Sequence, residues 1–308
     1  MEIEFIKWLR DRLPNHPQML VGPGDDAAIL QFIRDKQCVI TSDLLTDGVD
    51  FLLDQVGPRR VGRKSLAVNL SDLAAMAAKP LAVIVSLVLP RRGGLDLSKE
   101  LYEGLLPLAA QHQVAIAGGD TNSWDGQLVV SITAIGEITE NAAVLRSTAQ
   151  VGDQIVVTGS FGGSILAKHL DFEPRVQEAI NLNANYNLHA AIDVSDGLSL
   201  DLSRMAEASG VGAVIDVESV PIAAAAHQLA EQTPGVSAIE HALGDGEDFE
   251  LILAVSKSEA DRMIRDQPLG IPITRIGQFV EQRGLWSRSQ DGSREPLTPR
   301  GYEHQLGS

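Results

Sequence analysis

The sequence predicts a mixed α/β protein of two domains, and three observations carry that reading. A chain of 308 residues with 44% apolar content can bury a sizeable core, and its length favours two domains over one. The apolar residues are mainly Ala, Val, Ile and Leu, with only 4% aromatics and 28 glycines, which favours helices packed on sheets over a coiled coil. Short apolar runs alternate along the chain with stretches in which leucines recur at helical spacing. The single cysteine, Cys38, excludes an internal disulfide, and its neighbours Val39 and Ile40 make it a buried strand residue in this reading.

In chain order, Phe5, Leu9 and Leu13 recur at helical spacing ahead of Pro14 and predict a short opening helix. An acidic loop follows, then strands over 38–41 and 82–89 with a helix between them over 61–78. That helix has two faces. Leu66, Leu70, Leu73 and Ala77 share one; Ser65, Asn69, Asp72 and Met76 share the other, which is either a solvated stripe or the lining of a site. Leu97, Leu101, Leu105 and Leu108 mark a second helix, and the apolar runs 114–117 and 128–135 follow it. The polar, weakly patterned stretch 137–151 places a domain boundary, giving domains 1–140 and 141–308. The second domain opens on a strand at 154–158 and continues with strands at 190–194, 213–217, 249–255 and 273–279, with helices between them. One of these follows Gly197 and carries Leu198, Leu202 and Met205. No fixed-period repeat argues for a solenoid, and the tail after Gln282 reads as irregular surface.

Composition also excludes functions. With 41 acidic and 25 basic residues the formal charge is −16, which repels a polyanion, so no nucleic-acid partner is expected. The seven histidines are dispersed, with no His or Cys pair at zinc spacing. The acidic start Met1-Glu2-Ile3-Glu4-Phe5 lacks the features of a secretory signal, and no segment offers eighteen unbroken apolar residues. A cytoplasmic protein with no membrane association is the expectation.

Two glycine-rich segments invite a phosphate-binding reading. Gly57-Pro58-Arg59-Arg60-Val61-Gly62-Arg63-Lys64-Ser65 misses a Walker loop by one residue, because Arg63 stands where lysine must follow the second glycine; its cations remain candidate phosphate partners or surface charges. Gly159-Ser160-Phe161-Gly162-Gly163-Ser164 follows an apolar run, so it is either a tight turn or a turn offering backbone N–H groups to an anion. No Gly-x-Ser-x-Gly elbow or Cys-His pair points to covalent catalysis.

The sharper signal is carboxylate. Gly24-Asp25-Asp26-Ala27-Ala28, Thr41-Ser42-Asp43, Asn69-Leu70-Ser71-Asp72, Gly118-Gly119-Asp120-Thr121, Asp193-Val194-Ser195-Asp196-Gly197 and Gly244-Asp245-Gly246-Glu247-Asp248 place acids among small residues. Singly, each serves as a cap or turn. Two carboxylates ~4 Å apart repel by roughly 4 kcal/mol at an effective dielectric of 20, so convergence of such segments calls for cations between them. Hard oxygen ligands of this kind suit Mg²⁺ shared with substrate phosphates.

Taken together and in this order, Gly-Asp-Asp-Ala-Ala, the string Leu66 to Met76, Gly118 to Thr121, Ile192 to Leu198 and Gly246-Glu247-Asp248-Phe249-Glu250-Leu251 resemble the thiamine-monophosphate kinase family, one of the aminoimidazole ribonucleotide synthetase-like enzymes. The resemblance spans residues 5–302. It implies a two-domain fold of α+β type, an N-terminal domain that binds ATP and Mg²⁺ and pairs into a homodimer, and a C-terminal domain that completes the site. It implies further that Asp26, Thr41, Ser42, Asp43, Asp72, Asp120, Asp193 and Asp196 form a shell for several Mg²⁺ ions. Tyr102, Gly119, Asp120, Arg146 and Ser195 would contact ATP, with Asp120 and Arg146 in catalytic roles. Asp50, Glu247 and Tyr302 would meet thiamine monophosphate, and Asp50 stands where the family usually has histidine. Phosphorylation of thiamine monophosphate by ATP is the activity implied. Another ATP-dependent synthetase of the superfamily and a non-catalytic nucleotide or cation sensor are the alternatives.

Overall fold

The structure, a computed structural model, describes residues 8–9, 12–13, 16–17, 19–21, 29–30, 36–139 and 141–303. Asp26 and the Gly24 to Ala28 segment lie outside the described residues, as does Phe5 of the predicted opening helix. The chain divides into two compact units, one made of residues 1–73 and 78–139, the other of 74–77 and 140–308.

In the first unit, β1 (Met19–Val21) and β2 (Ile29–Leu30) form a small antiparallel pair. β3 (Cys38–Thr46), β4 (Lys79–Pro90), β5 (Ala115–Trp124) and β6 (Val129–Glu137) make a four-stranded sheet in the order β3-β6-β4-β5. Only β4 and β5 run parallel, because the helix Gly94–Gln111 carries the chain between them. That helix packs on both strands. The helix Pro58–Ala75 buries Leu66, Leu70 and Leu73 completely, and Leu73 reaches toward Gly136 of β6. Strand alternation then sorts the sheet residues. Val83, Val85 and Leu87 are buried, whereas Ile84 between them is 41% exposed, as are Ile40 (66%) and Leu44 (62%) on β3. Cys38 belongs to this outward row and is exposed, which corrects its expected burial.

Two glycines let the two long helices cross closely. A Cβ on Gly62 would sit 1.9 Å from the carbonyl oxygen of Leu101, and one on Gly104 would sit 1.8 Å from that of Arg59. The second glycine of the near-Walker segment, Gly62, therefore serves helix packing. Lys64 of the same segment is fully buried and donates from Nζ to Asp50 O at 2.8 Å, so it is no surface cation.

The second unit holds a seven-stranded sheet in the order β13-β12-β9-β11-β7-β10-β8, comprising β7 (Gln154–Thr158), β8 (Leu188–Asp193), β9 (Gly212–Asp216), β10 (Leu251–Val255), β11 (Ile273–Val280), β12 (Gly284–Arg288) and β13 (Arg294–Pro296). Its core gathers Ile155, Val157, Phe161, Leu198, Leu202, Met205, Ile252 and Phe279. The tail expected to be irregular supplies β12 and β13. β12 pairs in parallel with β9, and Arg288 grips Asp216 through Nε (2.5 Å) and Nη2 (2.8 Å).

Candidate active site

In the first unit a carboxylate pair forms where β3 meets the helix Pro58–Ala75. Thr41 Oγ1 donates to Asp72 Oδ2 at 2.5 Å. Asp43, two residues along the strand and on the same face, has a buried Oδ2 with no hydrogen-bond partner. Burial pushes the Asp43 carboxyl up to about 7, and the neighbouring charges of Asp72 and Asp50 add to the shift. Burial likewise raises Asp72, against the pull of its bond from Thr41. Two half-buried, mutually repelling carboxylates and an orphaned buried oxygen are the conditions under which a hard cation lowers the free energy. These residues fit Mg²⁺.

The same alternation separates other predicted ligands from this pair. Ser42 points the other way, its Oγ 3.1 Å from Thr133 Oγ1 and 3.3 Å from Ile132 O. Asp120 pairs in register with Ser86, in the row of Ser131 and Leu44, and its Oδ1 accepts the N–H of Thr121 at 2.9 Å. Asp43 belongs to the adjacent row of Ile132, Val85 and Gly119. The short acidic strings of Thr41 to Asp43 and Gly118 to Thr121 lie within strands, so consecutive residues cannot all face one ion. Gly119 has a structural reason of its own, since a Cβ there would lie 1.8 Å from Val85 O. Tyr102 is 3% exposed, and burial raises its hydroxyl pKa; as placed, it presents no open surface to a nucleotide. Asp50 closes a turn, its Oδ2 accepting Thr46 N at 2.7 Å.

In the second unit, main-chain bonds draw the predicted residues together. Glu247 N donates to Ser195 O (2.6 Å), Phe249 N to Val194 O (2.8 Å) and Val194 N to Glu250 O (2.8 Å), stitching the segment 246–250 to the end of β8. Tyr302 N donates to Asp196 O at 2.9 Å, so the last described residues join the same cluster. Asp193, Ser195, Asp196, Glu247 and Tyr302 therefore share one neighbourhood. The side chain of Asp196 is held by Arg204, which also bonds Asp201 Oδ1 at 3.0 Å. Asp201 in turn accepts the N–H groups of Asp196 (2.9 Å) and Gly197 (3.1 Å), and burial lifts its carboxyl to about 6. Arg146 is exposed on a loop beside β8, where Leu145 O accepts Ala191 N at 3.2 Å.

Beneath Glu247 lies an ion network. Glu250, 1% exposed, accepts Arg175 Nε (2.8 Å) and Nη2 (2.7 Å), Lys168 Nζ (3.0 Å) and Thr158 Oγ1 (2.8 Å). Asp248 is fully buried; its Oδ2 accepts Gly162 N at 2.8 Å, while Gly163 N reaches Asp245 Oδ2 at 2.7 Å. The glycine-rich turn thus does present N–H groups to anions, and those anions are the protein's own carboxylates. Burial pushes Asp248 up to about 7, against the opposing charge of Lys168. Flanking it, Glu247 (φ 61°) and Phe249 (φ 51°) adopt the left-handed region, at a cost of roughly 1 kcal/mol or more each. Among the described residues no three His, Cys, Asp or Glu side chains group as a ready metal site.

The chain matches the model of the AIR synthase related protein N-terminal domain over residues 24–138 and that of the C-terminal domain over 150–286. It is 44% identical to the thiamine-monophosphate kinase of Rhodopirellula baltica over 314 residues, covering 99% of this chain and 97% of that one. The chain belongs to the thiamine-monophosphate kinase family. The crystal structure of thiamine-monophosphate kinase from Stenotrophomonas maltophilia superposes with a TM-score of 0.80 at 34% identity, covering 94% of this chain and 95% of that one. A structure of AaThiL complexed with AMPPCP and TMP follows at 0.77 and 26%, covering 99% and 96%.

Membership in the kinase family leaves several charged residues that its short motifs do not single out. Asp201, Arg204, Lys168 and Arg175 are of this kind. Arg175 and Lys168 lie 75 and 82 residues from Glu250, so no local pattern announces them. A signal existed for Asp248 and Glu250, which stand in the kinase string Gly246 to Leu251 although only Glu247 is read from it as a substrate contact.

Proposed function

We infer that the protein is an ATP-dependent kinase that phosphorylates thiamine monophosphate, giving thiamine diphosphate and ADP. The observation that carries this is full-length identity of 44% with a curated kinase of that activity, joined to a fold match with a relative complexed with AMPPCP and TMP. In the reaction a phosphate oxygen of thiamine monophosphate attacks the γ-phosphorus of ATP; the bond to the bridging oxygen breaks and its electron pair leaves with ADP. A phosphate monoester has its second pKa near ~6, so the nucleophile is anionic at neutral pH and needs no strong base. The protein's work is therefore placement and charge compensation.

Asp43 and Asp72, with Thr41 holding Asp72, are the residues best suited to hold Mg²⁺. Within the second unit Asp193 and Asp196 are the carboxylates proposed as metal ligands; Ser42 and Asp120 face the other side of the first unit's sheet, so as proposed ligands they would serve an ion apart from the Asp43–Asp72 pair, and Asp26, also proposed as a ligand, lies outside the described residues. Bound there, Mg²⁺ would offset the charge of the two phosphate-bearing reactants. Arg146 on its exposed loop adds a fixed positive charge for ATP, with Gly119 and Ser195 beside the nucleotide. Glu247 and Tyr302 meet thiamine monophosphate, and a carboxylate suits the cationic thiazolium end better than the phosphate. Asp50 lies close enough to raise Asp43, so it bears on the metal as well as the substrate.

The exposed apolar row Ile40, Leu44 and Ile84 supports pairing of two copies through the first unit. No described helix is long and apolar enough to cross a membrane. A cytoplasmic location, where ATP is supplied, is the proposed one. Transfer of label from γ-labelled ATP with Mg²⁺ tests the activity: label should appear on thiamine diphosphate with thiamine monophosphate, and not with thiamine or aminoimidazole precursors. Label released only as inorganic phosphate, or carried to another acceptor, would refute it.

A further inference from the structure

The left-handed backbone at Glu247 and Phe249 persists only if something beneath the loop holds it, because an L side chain of this size avoids that conformation. The side chains of residues 248–250 supply that hold. Asp248, between the two strained residues, is fully buried and tied through Oδ2 to Gly162 N. Its other oxygen, Oδ1, forms no hydrogen bond and lies 3.7 Å from Lys168 Nζ. Lys168 and Arg175 both bind Glu250, and Phe249 stacks on Phe172 with ring centroids 3.9 Å apart. A charged network this deeply buried is costly unless its geometry is kept, so it resists movement of the loop above it.

We propose that Asp248, set on the Lys168–Glu250–Arg175 network, is a positioning residue that locks Glu247 in its left-handed conformation and thereby fixes the carboxylate that meets the cationic ring of thiamine monophosphate. The proposal rests on the reading of Glu247 as a substrate contact. Asp248 touches no reactant. It acts by reducing the conformations open to Glu247, which lowers the ordering cost of binding. The effect acts through the Glu247 side chain on the acceptor side of the reaction; the bond from Glu247 N to Ser195 O, which ties the loop to the nucleotide contact, is made by the main chain and not by the Asp248 carboxylate.

Steady-state kinetics on the full chain, varying thiamine monophosphate and ATP separately, decide it. Asp248→Asn keeps volume and the bond from Gly162; it should raise KM for thiamine monophosphate about tenfold, with KM for ATP unmoved. Glu247→Ala should raise the same constant, and adding Asp248→Asn to it should bring no further increase. Arg175→Lys, which keeps the charge and loses the two-pronged hold on Glu250, should act like a weaker Asp248→Asn and carries the test should that variant not fold. If Glu247→Ala raises KM while neither network variant does, or if both KM values rise together, the positioning role is refuted and the substrate contact stands. An unchanged KM in Glu247→Ala removes the contact itself, and the proposal with it.

Discussion

At Asp43 the cost of a buried charge and the use of that charge are one and the same. Its Oδ2 has no hydrogen-bond partner, and burial first, then the charges of Asp72 and Asp50, raise its pKa, so the ionised side chain weakens the metal-free fold. A cation reverses the sign of that contribution. Asp43→Asn should therefore melt above the parent in EDTA, by an amount on the order of 1 kcal/mol, and lose the rise in melting temperature that the parent gains from Mg²⁺. Turnover should fall ~100-fold or more in the same variant and in Asp72→Asn. Thermal denaturation with and without Mg²⁺ checks the stability statements, and steady-state kinetics checks the loss of turnover. A parent whose melting temperature ignores Mg²⁺, or an Asn variant that still responds to it, would remove Asp43 from the metal shell.

Elements are joined by details that a sequence reader assigns elsewhere. Gly62 and Gly104 bring the helices Pro58–Ala75 and Gly94–Gln111 so close that a methyl group on either meets backbone, which cannot yield as a flexible side chain does. Gly62→Ala and Gly104→Ala should each cost about 2–4 kcal/mol in urea unfolding, whereas Gly270→Ala, whose added methyl meets nothing, should cost almost none. Similar midpoints for all three would show that the helices can separate freely. Legibility in the sequence follows the same division. Strand β7 is readable as a short continuous apolar run, buried from Ile155 to Thr158, and the helix Pro58–Ala75 because it buries a periodic face. β12 is not, because its strand character comes from pairing with Gly212–Asp216, some seventy residues earlier, rather than from its own residues. The acidic motifs gave the residue types of the site but not their facing. Ser42 and Asp43 are adjacent in the chain and on opposite sides of a strand, a distinction that only the sheet register supplies. Arg175 shows the converse, since a cation that completes a buried network needs no neighbour in sequence.

For the molecule as a whole, a formal charge of −16 sits awkwardly with two phosphate-bearing reactants, and divalent cations with Arg146 are the means proposed here to reconcile them. The same acidity makes the outward row of the first unit's sheet conspicuous. Ile40 and Leu44 are each more than 60% exposed on β3, in register with Ile135 and Ser131 of β6, and Ile84 extends the row onto β4. An open sheet face of this kind loses free energy to water that a second copy would recover, since a symmetric partner presents the identical row. Pairing through it predicts that Ile40→Asp combined with Leu44→Asp converts the protein to monomer. Both side chains already face solvent within the unit, so the double variant should keep its circular dichroism and its melting temperature within a few degrees at low concentration. Analytical ultracentrifugation of the parent and the variant at micromolar concentration measures the outcome. A variant that remains dimeric would move the interface to another surface, and a parent that sediments as a monomer would leave this apolar row without the partner assigned to it.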